Sequence, residues 1–277
     1  MCMRFKDDSK PRSRYAKCPL TEVVCQLRFP VILSIDKELP ASFQELIRAD
    51  YPEYNSNIER QQQVDFVATP AGVITQPAIQ QENMNHCFTS ADGKWRVNLT
   101  SSFLALSTSD YDTWEDFREK LWLPVTALTQ CYNPAYYTRV GLRYVDVYDR
   151  VKLGLQGTPW KDLLHEQILG MAAAPDNEND IQTINQYTEI KLDEYDAMMR
   201  IITNFGATPE NPAQPLQDVF IVDTDTYSLR RFPIGKEGVE DCLDFMHDNS
   251  TNYGRWMVTP KLFEAMEPEE IAEEDAS

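Results

Sequence analysis

Hydrophobic and polar residues alternate near the start of the chain. In segment 21–30, Val23, Cys25 and Leu27 fall at every second position, which predicts a strand with one buried face. Segment 40–49 changes to apolar residues three and four positions apart, behind a proline that suits a first helical turn. The pattern therefore predicts a strand followed by a short helix.

Several strand-like runs come next, before a long amphipathic segment. The predicted strands are 64–69, 73–81, 94–100 and 103–109. Asp92-Gly93 is the best hairpin signal among them. A helix is predicted to run from Asp112 or Thr113, either of which suits an N-cap, towards Tyr132, and Pro124 is expected to kink it.

The second half of the chain repeats this order. The prediction is a strand at 136–148, a short helix at 159–168, strands at 186–192, 197–205 and 218–227, and a helix at 239–249. The interval from the first strand to the short helix is similar in both halves, and each half ends in an amphipathic helix. These parallels predict an internal duplication. Segments 172–180 and 208–217 have the composition of loops.

The predicted fold class is α+β, with two related halves, each made of a strand, a helix, an antiparallel sheet and a long helix. This order is typical of TATA-box-binding-like and helix-grip proteins, an analogy of topology that transfers no function. The expected organisation is a basic flexible leader at 1–17, a first half at 18–133, a second half at 134–263 and an acidic tail at 264–277. The two oppositely charged ends either attract one another or stay mobile.

Composition narrows the class of protein. The 277 residues are 42% hydrophobic, which is enough to bury a core, and 44 acidic against 26 basic residues give a net charge of -18. An excess of carboxylates argues against free nucleic acid as a ligand. The chain has neither a signal-like apolar segment near its start nor a membrane-length apolar run, so we expect a cytoplasmic protein without a membrane partner. Six scattered Cys predict reduced thiols, and three distant His predict neither a metal site nor a cofactor.

Two segments carry a family resemblance. Segment 19–29 reads PLTEVVCQLRF and segment 138–146 reads TRVGLRYVD. They resemble the signature strands of a sporadically distributed bacterial family of uncharacterised proteins, P-L-x-E followed by [IL]-R-F, and R-[IV]-G-L-R-Y-[IV]-[ND]. The resemblance covers most of the chain and implies two related halves and an accessory or defence-associated gene, but no activity. Family members often have Asn where this chain has Asp146.

The second signature strand also carries the most distinctive candidate chemistry. Alternation puts Arg139 and Arg143 on one face and Tyr144 on the other. The two arginines are able to grip a carboxylate or phosphate, or else to pair with the acids of the protein itself. Asp223 and Asp225 share a face of a later strand and are candidates for those internal partners. Arg139, Arg143, Tyr144, Asp146, Asp223 and Asp225 are therefore the candidate binding residues.

The nucleophile-elbow, phosphate-loop and zinc-protease motifs are absent from the sequence. We therefore expect a non-enzymatic interaction protein, such as an adaptor, antitoxin or immunity-type factor, that uses an acidic surface to bind a basic protein partner. Such a surface also suits a mimic of nucleic acid, and a homodimer is compatible with the sequence. The alternative is a protein or enzyme that binds a small anionic ligand in a pocket between sheet and helix, with Arg139 or Arg143 fixing the anion.

Overall fold

The chain forms a mixed α+β fold around one large antiparallel sheet. A computed structural model describes residues 5, 13–61, 64–69, 72–77, 81–174, 178, 180–205 and 218–270. Its strands are β1 (Ser13–Tyr15), β2 (Leu20–Arg28), β3 (Glu53–Gln61), β4 (Val64–Thr69), β5 (Gly72–Pro77), β6 (Gln81–Thr89), β7 (Trp95–Leu99), β8 (Phe103–Thr108), β9 (Arg139–Asp149), β10 (Ile184–Lys191), β11 (Met198–Phe205), β12 (Val219–Ser228) and β13 (Pro268–Glu270). Its α-helices are α1 (Leu33–Lys37), α2 (Ala41–Ile47), α3 (Trp114–Tyr132), α4 (Glu166–Leu169), α5 (Lys236–Met257) and α6 (Pro260–Ala265).

Nine strands make the central sheet, in the order β10-β11-β12-β9-β2-β8-β7-β6-β3. β2 and β9 pair antiparallel at its centre, with Cys25 opposite Leu142 and Leu27 opposite Val140. These four side chains are buried on one face, which α3 and α5 cover. A second pair of strands, β4 and β5, forms a separate hairpin. The alternation read from segment 21–30 thus marks a strand with one face in the core.

The two long helices agree with the sequence pattern, and α5 is longer than predicted. The hydroxyl of Thr113 accepts the backbone N–H of Asp116 at the start of α3, as an N-cap residue does. Pro124 lies within this helix. The predicted helix 239–249 extends at both ends to Lys236–Met257, because Tyr253 and Met257 continue its buried stripe.

The predicted short helix at 159–168 is wrong as a single element. A 3₁₀ turn at Trp160–Asp162 and the single turn of α4 replace it. Between them, Leu164 pairs with Val258, and the N–H of His165 donates to the carbonyl of Met257 at 3.0 Å. The backbone leaves the helical path because it bonds to the end of α5.

The sequence pattern also missed four strands, β1, β3, β6 and β13, and two short helices, α1 and α6. Strand β3 contains mostly polar residues at an edge of the sheet, and its exposed Tyr54 and Ile58 produce no clear alternation. Strand β6 begins at Gln81, the last residue of the predicted run 73–81, whose first part is β5. The predicted loop 208–217 lies outside the described residues.

The two ends of the described chain meet. Strand β1 pairs with β13, and Lys17 lies 2.8 Å from a carboxylate oxygen of Glu267. The predicted leader 1–17 therefore contains an ordered strand, and Phe5 packs against Tyr253 and Trp256 of α5. Of the predicted loop 172–180, residues 172 and 173 belong to a 3₁₀ turn. Within the described ranges, no helix has the length and apolar content needed to span a bilayer.

Candidate functional site

Four of the six candidate residues lie on the face of the sheet opposite the helices. The guanidinium of Arg139 donates to both oxygens of Asp225 at 2.7 and 2.8 Å. The guanidinium of Arg143 donates through Nε and Nη2 to Asp223, both at 2.7 Å. Each arginine thus reaches diagonally from β9 to an aspartate on the neighbouring β12. The internal ion pairs considered from the sequence are present.

Gly141 creates the space in which the guanidinium of Arg139 lies. A Cβ atom at position 141 would stand 2.2 Å from Nη1 of Arg139 and therefore displace the guanidinium. The ring of Tyr227 lies under the same guanidinium, 5.0 Å away, and Oε1 of Gln26 accepts a hydrogen bond from Nη1 at 3.2 Å. The glycine in the VGLRY sequence is therefore needed for the charge network beside it.

This charge network argues against a site for an external anion on the two arginines. The Arg139 side chain is only 14% exposed, and that of its partner Asp225 is 17% exposed. Arg143 is more exposed, yet hydrogen bonding to Asp223 raises its pKa, and that carboxylate occupies its Nε and Nη2. Arg200 lies 3.7 Å from both Asp225 and Glu189, which extends the network to β10. An anion on this face would have to displace a carboxylate already in place.

The remaining two candidates, Tyr144 and Asp146, point to the helix side of the same strand. There they line a cavity of about 430 Å³ between β9, α5, the segment 13–20 and the loop before α3. Its walls include the aromatic or polar side chains of Tyr15, Tyr111, Trp114, Tyr148, His247 and Arg255. The six candidates therefore form two separate groups, one on each side of the sheet.

Asp146 is the unusual residue of the cavity. It keeps some accessible surface because the cavity reaches it, but protein surrounds it, and burial raises its pKa from the usual 3.8 to about 7. Within the described ranges its carboxylate makes neither a hydrogen bond nor an ion pair. A carboxylate removed from water without a partner is costly in its charged form.

A chain of contacts joins β9, α5 and α3 around the cavity. The hydroxyl of Tyr144 lies 2.7 Å from Nδ1 of His247, whose ring stacks on Trp114 with centroids 4.8 Å apart. Nε1 of Trp114 donates to Asp244 at 2.6 Å, and Arg118 donates to both oxygens of Asp244. These contacts fix α3, α5 and β9 relative to one another, so the cavity is formed before any ligand arrives.

Sequence reasoning named Tyr144 and Asp146 and considered a pocket between sheet and helix, but it assigned that pocket to Arg139 or Arg143 and not to Asp146. The available signal was the position of Asp146, which alternation places on the same buried face as Tyr144 and Tyr148. An acid at an inward position of a strand is rare and points to a site. His247 and Trp114 gave no such signal, because each reads as an ordinary core residue of an amphipathic helix.

Two further observations bear on the type of site. Among the residues that the structure describes, no group of three His, Cys, Asp or Glu side chains is close enough to hold a metal ion. Comparison of the sequence with models of known families and with curated proteins finds no match. The assignment of the site therefore depends on its geometry.

Gly141→Ala tests the charge network. Alanine normally suits a strand better than glycine, but here its Cβ displaces the guanidinium of Arg139 from Asp225. We expect a loss of about 1–3 kcal/mol in the free energy of unfolding, measured by urea denaturation. The same substitution in an Arg139→Met background should cost nothing or stabilise the protein. An equal loss in both backgrounds would refute this role of the glycine.

Asp146→Asn tests the buried carboxylate. The raised pKa of Asp146 means that between pH 4 and 7 the unfolded chain ionises first, so stability falls as pH rises and the full penalty applies above pH 7. Three pH units at ~1.36 kcal/mol each set an upper bound of roughly 4 kcal/mol. We expect the variant to be more stable than wild type by about 1–4 kcal/mol at pH 8 and by less at pH 5.

Urea denaturation at both pH values measures this difference. The other acids contribute equally to the pH dependence of stability in the two proteins, so their contributions cancel. The matched control is Asp223→Asn, which removes the partner of Arg143 and should destabilise the protein. An Asp146→Asn variant that is less stable than wild type at pH 8 would show that the carboxylate has a stabilising partner.

Proposed function

We propose that the protein binds a small polar molecule in the cavity between the sheet and α5. The observation that carries this proposal is the carboxylate of Asp146, which has no partner among the described residues and lines a cavity of about 430 Å³. This volume falls in the range of small-molecule sites, which are mostly apolar with a few polar groups in fixed positions. An uncompensated acid in the core lowers stability, so its presence is more readily explained by a ligand than by folding.

The construction of the walls supports binding. β9 and α5 supply rigid backbone on two sides, and the contact between Tyr144 and His247 joins them. Thr226 on β12 and Ser250 on α5 add a second link, with their hydroxyl oxygens 2.8 Å apart. A preformed site loses little conformational entropy when it binds, which favours affinity.

The ligand differs from the one expected in the alternative reading of the sequence. That reading required Arg139 or Arg143 in the pocket, but both point to the other face of the sheet, where Asp225 and Asp223 hold them. The proposal therefore keeps a pocket between sheet and helix and does not use those two arginines to bind an anion.

A second candidate function is binding of a basic protein partner through an acidic surface. The helix layer favours it, because α5 contains five acidic and two basic residues. Glu119 on α3 and Glu237, Asp241 and Asp248 on α5 are exposed. Such a surface attracts a basic partner and speeds its association.

Internal duplication is part of the proposal for the fold. β2 and β9 are each followed by short helices, an outer strand, a meander back to the centre and a long helix. The outer strands are β3 and β10, and the closing helices are α3 and α5. This shared order supports two related halves with a TATA-box-binding-like or helix-grip-like topology.

Substitution at Gly254 tests the cavity. This residue of α5 lines the cavity, and a Cβ atom added to it meets nothing within 4 Å, so a large side chain has room to enter. We expect small molecules to co-purify with wild type and with Gly254→Ala, but not with Gly254→Phe, as measured by mass spectrometry after denaturation. Gly254→Ala is the matched control, since it favours the helix by about 0.5–1 kcal/mol and leaves most of the space.

The same three proteins should be screened by thermal shift against a library of polar metabolites. The proposal predicts at least one stabilising compound whose effect is lost in Gly254→Phe. If wild type carries no small molecule, and the screen shows no shift that depends on position 254, the proposal is wrong.

Charge reversal tests the second candidate. The double variant Glu237→Lys/Asp241→Lys should lose a basic partner that wild type retains at low salt and releases near ~0.5 M salt, as seen by affinity purification. The Glu53→Lys variant, on the edge strand β3 and exposed, is the control and should retain it. Equal retention by both variants would exclude the helix surface as the contact.

A further inference from the structure

Among the described residues, the carboxylate of Asp146 has no ion-pair or hydrogen-bond partner in the cavity that it lines. The charged or titratable side chains that line it are Arg14, Tyr15, Cys18, Tyr111, Asp112, Tyr144, Asp146, Tyr148, His247, Asp248, Arg255 and Glu269. Arg14 is held by Asp112 at 2.6 Å, and Arg255 donates to Asn252 at 2.5 Å. Neither arginine bonds to Asp146, whose pKa is shifted by burial alone. Within the described chain, the positive charge that this carboxylate needs is not supplied.

Aromatic rings make up much of the wall around this acid. Tyr15, Tyr111, Tyr144 and Tyr148 line the same cavity as Asp146, and Trp114 adds an indole. Tyr111 and Tyr144 meet edge to face, with centroids 6.0 Å apart and an interplanar angle of 86°. Aromatic faces attract cations, and the attraction is larger where water is excluded.

We propose that the cavity selects an organic cation, a substituted ammonium group that lies against the tyrosine rings and pairs with the carboxylate of Asp146. This inference rests on the proposed function and names the chemical class of its ligand. A cation supplies the missing counter-charge, so its binding offsets the cost of the buried carboxylate. An anion in the same place would meet an unpaired negative charge in a site of low dielectric.

Titration of Asp146 links this binding to pH. The ammonium group pairs with the ionised carboxylate, so affinity should rise as pH increases from 6 to 8, through the pKa of about 7. His247 also faces the cavity. The contribution of Asp146 to the pH dependence is identified by its loss in Asp146→Asn.

The probes are choline and 3,3-dimethylbutan-1-ol, which have nearly the same shape and differ in the charge of the quaternary centre. Binding to the full chain can be followed by the fluorescence of Trp114 and by calorimetry at pH 8. We expect choline to bind about tenfold more tightly than the alcohol, and Asp146→Asn to reduce choline binding about tenfold.

Each outcome either supports or overturns the cation inference. Preferential binding of choline that is lost in Asp146→Asn supports the inference. Equal binding of the neutral alcohol, tighter binding of acetate, or no binding of choline overturns it. If the cation inference fails in this way but Gly254→Phe still abolishes the binding of a co-purifying molecule, the proposed function stands. If wild type binds no ligand whose binding depends on position 254, both the proposed function and the cation inference are wrong.

Discussion

The antiparallel pairing of β2 with β9 is the contact on which the rest of the structure depends. It joins the two parts of the sheet, since every other strand of the nine lies outward from one of these two. It also sets the register in which Cys25 and Leu142 meet on the helix side while Gln26 and Gly141 meet on the other. A shift of one residue would exchange the two faces, burying Arg139 and Arg143 and exposing the aliphatic core.

The charged side chains on the two faces of β9 differ in whether they have partners within the described chain. On the open face, each charge of the Arg139–Asp225 and Arg143–Asp223 pairs has a hydrogen-bonded partner, and Gly141 provides the room. On the helix face, the same strand places Asp146 in a cavity where no residue of the described chain pairs with its carboxylate. A paired network fits a structural role, whereas an unpaired acid in a preformed space fits recognition of something outside the chain.

Sequence patterns predicted the strands and helices whose two faces differ clearly in polarity. The alternation in β2 and β9 and the stripes of α3 and α5 come from single elements with one buried side, so local sequence contains the information. The pattern missed β3 because this strand is polar and lies at an edge of the sheet. It predicted one helix at 159–168, where backbone bonding to the end of α5 interrupts the helical path. The ion pairs were foreseeable from alternation on β9 and β12, but the cavity depends on how α5, β1 and the loop before α3 converge, which no local pattern records.

The identity of residue 146 sets the charge of the cavity. An amide at this position would carry no charge and impose no penalty that rises with pH, so it would have no need of a cation. Asp at this position gives the cavity an unpaired negative charge while leaving the size of the side chain nearly unchanged. The charge of the ligand should therefore follow this one residue, and the shape of the cavity should follow the packing of β9 against α5.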